Sequence, residues 1–237
     1  MTGRGVAKKL FVALTLGVVA VAVVGAFVLL RSTRFRTLLW APIALRDYAP
    51  NAAAAPAPDE VDDLDRLAGA AETIARRPTV YDPAYVVIDY PGGDVSPDRG
   101  VCTDVVIRAY RTIGVDLQQA VFEDMSADFE AYPDLWGLTK PDPNIDHRRV
   151  PNLMTWFQRH GDVLPITANG ADYLPGDILT WDLGAGWAHI GVVTAGPVPG
   201  SDRHLIAHHI GGPPRVDDVL FEWPIMGHYR YVAPHAP

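Results

Sequence analysis

Pro175-Gly-Asp-Ile-Leu-Thr-Trp181, His189-Ile-Gly-Val-Val-Thr194 and His204-Leu-Ile-Ala-His208 are three short apolar runs separated by turn residues. Runs of this length, rich in β-branched residues and bounded by Gly, Pro and Asp, read as strands. Tyr229-Arg-Tyr-Val232 adds a fourth. Upstream the texture changes. Asp59 opens a helix to about Arg76 with an apolar stripe at Val61, Leu64, Leu67, Ala68 and Ala71, and Pro78 stops it. Cys102 to about Ile113 reads as a second helix, closed by Gly114. Val150 to about His160 reads as a third, with Pro151 in its first turn and Gly161 after its end. Tyr85-Val-Val-Ile-Asp-Tyr90 reads as a short β run ended by Pro91-Gly92-Gly93. Helices followed by antiparallel strands predict an α+β fold.

The N-terminus carries a different signal. Leu10 to Leu30 holds no charge and one polar side chain, Thr15. At ~1.5 Å per residue such a run spans the hydrocarbon core of a bilayer. It is longer than the apolar region of a cleaved signal peptide, and no convincing A-x-A signal follows it. The expectation is a transmembrane signal anchor over residues 1–36 with its span at 10–30. A linker over 37–58 containing Asn51-Ala-Ala-Ala-Ala-Pro-Ala-Pro58 follows, then one domain over 59–237. Arg4, Lys8 and Lys9 before the span balance Arg31, Arg34 and Arg36 after it, so charge does not set the orientation. An extracytoplasmic domain is expected on the N-in arrangement. With those six basic residues set aside, the remainder carries 14 basic against 28 acidic side chains, a net charge of −14. That balance excludes a nucleic-acid partner.

Cys102 is the chain's one cysteine, so neither an internal disulfide nor a multi-sulfur zinc site is available. At a helix N-terminus, the unpaired N–H groups and the helix dipole favour thiolate over thiol, which suggests a nucleophile; a buried core cysteine is the alternative reading. A thiolate needs a base, and the base's ring needs an orienter. His189 stands at a strand start behind the turn-rich Gly184-Ala-Gly-Trp-Ala188, and His208 and His209 lie on the next strand. Adjacent strand residues face opposite ways, so only one of the latter two reaches His189. The same divergence argues against a metal site built from these histidines. Asp104 suits a helix-capping role and Asp177 a turn-bonding one. Arg148 and Arg149 are candidate ligands for a substrate carboxylate. Trp187 is a candidate rim residue, whereas Trp136, Trp181 and Trp223 read as core or cleft wall.

Arg99-Gly-Val-Cys-Thr-Asp-Val-Val-Ile-Arg-Ala-Tyr110, Asp116-Leu-Gln118 and Pro141-Asp-Pro-Asn-Ile-Asp-His-Arg-Arg-Val-Pro-Asn-Leu153 closely resemble the DUF1287 family of bacterial proteins. Pro175–Trp181, His189–Val193 and Gly227-His-Tyr-Arg-Tyr231 extend the resemblance over most of 60–232. That family is in turn similar to the NlpC/P60 cysteine peptidases. The similarity implies a papain-like fold, with a cysteine-bearing helix packed against an antiparallel sheet, and peptidoglycan stem peptides as substrate. It implies Cys102 as nucleophile, His189 as base and His208 as the third residue, although His209 stands where the family pattern has Asn. No cofactor is implied. The expected function is thus a membrane-anchored amide hydrolase, with a lipid or amine acyltransferase or a non-catalytic wall-binding module as alternatives.

Overall fold

In the computed structural model, residues 55–234 are described; the expected membrane span and most of the linker lie outside them. Four α-helices in this region pack against a six-stranded antiparallel sheet. The helices are α1 (Pro58–Ala75), α2 (Cys102–Thr112), α3 (Leu117–Ala127) and α4 (Val150–His160). A parallel pair, β1 (Val80–Tyr81) and β2 (Arg99–Gly100), stands before α2. The main sheet contains β3 (Asp162–Val163), β4 (Ile178–Asp182), β5 (Ala188–Pro197), β6 (His204–His208), β7 (Arg215–Asp217) and β8 (Ile225–Arg230), in the order β3-β8-β4-β5-β6-β7.

Each helix exists because one face is apolar. Leu64, Leu67, Ala68, Ala71 and Ala75 of α1 are buried, whereas Val61, expected in the same stripe, is exposed. On α2, Val105, Val106, Ala109 and Tyr110 recur at helical spacing and are buried with Cys102. They join Leu153, Phe157, Ile190, Val192 and Ala207 in the larger of two core clusters, between helices and sheet. The opposite sheet face carries a smaller cluster around Tyr173, Leu179, Trp181, Val193, Ile206 and Leu220. Alternation along β5 divides its residues between the two, so Ile190 and Val192 join the first and Val193 the second.

The Pro175-Gly-Asp turn enters β4 as expected. Gly176 takes φ +88°, and a Cβ there would meet the Leu64 backbone oxygen at 2.8 Å. Only glycine satisfies both conditions. Two expectations change. Tyr85–Tyr90 forms no strand: the Ile88 N–H is taken by Asn144 Oδ1 at 3.0 Å, and Val87 is 78% exposed. Conversely, Leu117–Ala127 is a helix whose Asp116 cap accepts from the Gln118 N–H.

Candidate active site

Cys102 is the first residue of α2. The Asp104 carboxylate, three positions after Val101, accepts the Val101 N–H at 2.6 Å and so ties down the helix start. Arg148 closes on the same carboxylate with both Nε and an Nη at 2.9 Å, and both side chains are almost fully buried. Arg148 also donates to the Asp82 and Ala84 carbonyls, and its own carbonyl accepts from Thr103 Oγ1. The segment after β1 and the turn before α4 are thereby pinned to the start of α2.

The thiol is not the poised anion that a helix N-terminus alone predicts. Cys102 is 6% exposed. Burial pushes its thiol up to about 12, against a smaller lowering by the Ile190 main chain, which places the sulfur beside the residue following His189. Desolvation, reinforced by the Asp104 charge, outweighs the main-chain hydrogen bonds from Ile190, Thr103 and Cys102 that favour the thiolate. The expectation of a low-pKa, solvent-open thiol is therefore corrected: in the resting protein it is neutral and covered. Tyr81 of β1 lies close by; burial first, then the neighbouring Cys102 and Asp104, push its hydroxyl above the usual range.

The two expected histidines do meet. In the sheet register Gly191 lies opposite His208, so His189, two residues earlier on the same strand face, is its diagonal neighbour. His189 Nε2 and His208 Nδ1 are 3.0 Å apart. A Cβ at 191 would strike Ile206 Cγ2 at 2.8 Å and His208 Cβ at 3.3 Å, so glycine clears the way for this diagonal. Trp223 lies edge-on to both rings, and Trp181 packs on His189 at 5.7 Å between centroids. Burial, reinforced by His208, His209 and Arg215, pushes His189 down to about 3. Burial is also the main cause for His208, at about 4, with Asp217 opposing it. Both rings are therefore neutral at pH 7.

Two neutral rings share one proton across this contact, and the Asp217 carboxylate beside His208 Nε2 favours the order in which that nitrogen carries its own hydrogen. If His189 keeps its Nδ1 lone pair, its Nε2–H donates to His208 Nδ1, and His208 carries its proton on Nε2. That Nε2 is buried without a hydrogen bond, 3.7 Å from Asp217 Oδ2. Asp217 was not singled out from sequence, since a carboxylate on a short edge strand gives no signal there. Among the described residues no hydrogen bond joins the Cys102 thiol to either ring. His209 resolves the choice left open between the two adjacent histidines. It faces the other way, with Nε2 donating to the Gly212 carbonyl at 3.0 Å and its ring edge-to-face with Tyr81.

The remaining candidates separate. Arg148 is buried and spends four of its five N–H donors on Asp104 and two carbonyls, so it has no pair of donors left to hold a substrate carboxylate bidentately; that expectation is corrected. Arg149 is paired with Asp146 at 2.8 Å and lies 4.0 Å over the Trp136 ring, on the wall of a separate cleft. Trp187 is 71% exposed in the β4–β5 hairpin, two residues before His189. Asp177 bonds its turn through the Leu174 N–H and additionally holds buried His228 and Arg230.

Comparison with known proteins gives family but not fold kinship. No solved structure matches the chain. The Uncharacterized protein YijF of Escherichia coli (strain K12) is 56% identical over 151 residues, covering 64% of this chain and 73% of that one. The model of the Domain of unknown function (DUF1287) matches residues 68–231, from within α1 to just past β8. The matched region takes in α2, the sheet and every candidate site residue, and the chain belongs to the DUF1287 family.

Proposed function

We propose that this protein is a cysteine hydrolase of the NlpC/P60 type, anchored in a membrane with its domain extracytoplasmic, that cleaves amide bonds in peptidoglycan stem peptides. Cys102 is the nucleophile, His189 the base and His208 the residue that orients it. The observation carrying this reading is the buried 3.0 Å contact between His189 Nε2 and His208 Nδ1, on the strand whose Ile190 main chain meets the Cys102 sulfur. A structural histidine pair gains little from being neutral, buried and singly bonded in a row. A base that must present one free ring nitrogen gains an enforced tautomer.

The thiol's pKa of about 12 and the imidazole's of about 3 mean that the resting pair does not exchange its proton. Deprotonation therefore belongs to the reaction itself. The transfer requires His189 to swing round the start of β5, since its ring packs with Trp181 and Trp223 on the sheet face of the smaller cluster whereas Cys102 lies in the larger. As Cys102 Sγ bonds the amide carbon, its proton then passes to His189 Nδ1, and the carbonyl oxygen takes the negative charge. The Cys102 backbone N–H, at the helix start, supplies a donor for that oxygen. The C–N bond then breaks, with the amine taking the proton from His189, and water hydrolyses the thioester by the reverse relay.

The test is release of new primary amines from purified peptidoglycan by the full chain, read with an amine-reactive fluorophore. The wild type is expected to release them, and His189→Ala and His208→Ala to lose most of that activity. Unchanged release by His189→Ala would refute the assignment of the base. Acyl transfer to an added amine or lysolipid, with no hydrolysis, would replace the hydrolase by an acyltransferase. Wall binding without any product would leave a binding module.

A further inference from the structure

The cleft beside the turn that precedes α4 is built but unmatched. It has a volume of about 280 Å³ and lies between the α3–α4 connection and α4. Its wall carries Trp136, 40% exposed, with the Arg149 guanidinium stacked on it at 4.0 Å. Arg149 is neutralised by buried Asp146 at 2.8 Å. Asn152, 1% exposed, lines the same cleft. Its amide nitrogen faces the carbonyl and a carboxylate oxygen of Asp146, both acceptors, which settles the amide orientation. Its Oδ1 is buried with no hydrogen-bond partner. Leaving such an acceptor unpaired costs about 1–3 kcal/mol, so an unmatched one in a cleft wall calls for a donor from outside.

The other loose ends have the same sign. Glu130 and Asp134 border the cleft, and neither has an ion-pair partner among the described residues. The unmatched groups are thus one buried amide oxygen, two carboxylates and an indole. The two unpaired charges are both negative, and with the Arg149 charge balanced by Asp146 the amide oxygen, the carboxylates and the indole face all favour a cationic N–H donor, although the Trp136 indole N–H and the remaining Arg149 N–H groups can themselves donate. Met125, Phe129 and Leu138 supply an apolar wall alongside, suited to a methylene stem.

We propose that this cleft binds a primary alkylammonium group on a flexible stem, of the kind a lysine-type side chain carries, with the ammonium reaching Asn152 Oδ1 between Glu130 and Asp134. The site requires no chemistry at Cys102, so it stands or falls separately from the hydrolase. The turn of residues 146–148 joins the two regions: Arg148 clamps the start of α2 while the adjoining Arg149 faces the cleft.

The test is an NMR titration of the full chain with N-acetyl-lysine N-methylamide, and with the same compound acetylated on its ε-amine. The free amine is expected to shift the Trp136 indole and Asn152 side-chain signals. The acetylated compound, lacking the charge, is expected to bind about tenfold more weakly or worse. Glu130→Gln with Asp134→Asn, two surface changes that leave the fold intact, is expected to weaken the free amine to the same degree. Equal binding of the two compounds, shifts confined to other residues, or no saturable binding of either would overturn the proposal.

Discussion

Replacing Arg148 with Met removes the guanidinium that holds Asp104 by two 2.9 Å bonds, at a position where the side chains are 2% and 3% exposed. Asp104 Oδ2 keeps the Val101 N–H, but Oδ1 loses the one hydrogen bond it has among the described residues. Breaking a buried pair from one side strands a charge, which costs about 3–5 kcal/mol. Against a typical total of about 5–15 kcal/mol for a domain, this is a large fraction of its stability. Urea denaturation at pH 7, followed by circular dichroism, reads the loss directly. Converting Asp104 to Asn in the same protein removes the stranded charge while keeping an acceptor for Val101. The double variant should therefore recover about 2 kcal/mol or more of the loss. The Asp82–Ala84 segment, untied from Arg148, should also gain amide exchange in both variants. A loss below about 1 kcal/mol in Arg148→Met would refute the reasoning, because the pair would then be worth no more than an exposed one.

Thiol alkylation by iodoacetamide should be slow at pH 7 and rise with pH up to the thiol's value of about 12, reached only by a covered sulfur; rapid labelling below pH 7 would contradict the burial. His189 and His208, at about 3 and 4 in the folded protein against about 6.5 when unfolded, bind fewer protons folded than unfolded. Their contribution is intact above pH 6.5 and is lost as pH falls from there toward 4, by up to about 1.4 kcal/mol per unit for each ring. Urea midpoints at pH 7, 6 and 5 should fall accordingly, and less steeply in His208→Gln; a flat profile would sink the idea of neutral buried rings. Gly176→Ala should destabilise the Pro-Gly-Asp turn through its φ of +88° and the 2.8 Å approach to the Leu64 oxygen. The strained backbone and the overpacking should each cost about 1–3 kcal/mol, and a thermal melt indistinguishable from wild type would contradict it.

Much of the fold could be read from the residues because local pattern and tertiary demand agree there. The β4, β5 and β6 runs, the start of α2 and the whole of α4 lie where turn residues, caps and apolar spacing put them. Tyr85–Tyr90 shows the opposite case. Its residues have strand propensity, but a strand also needs a ladder partner, and Asn144 supplies side-chain bonds in its place. The α3 helix has a signal of its own in the sequence: Asp116 as cap, then Leu117, Val121 and Met125 at four-residue spacing, these three buried. At the site, strand alternation foresaw that His208 and His209 diverge, and the register decided which one meets His189. The electrostatics were not legible. A helix N-terminus argues for a thiolate, yet the balance turns on how completely Val105, Ile190 and their neighbours exclude water from the sulfur, a property of packing rather than of spacing. The role of Arg148 is hidden from sequence for a related reason, since only the folded chain brings Asp104 to it across 44 residues.

The proposed mechanism requires Cys102 to form a covalent bond to a peptidoglycan acyl group. Mass spectrometry of whole peptidoglycan, digested in parallel by the full-length wild type and by Cys102→Ala, tests this most directly. The account predicts soluble fragments with a freed amine and carboxyl terminus from the wild type, and none from the variant. The same fragments released by the Cys102→Ala protein would contradict it.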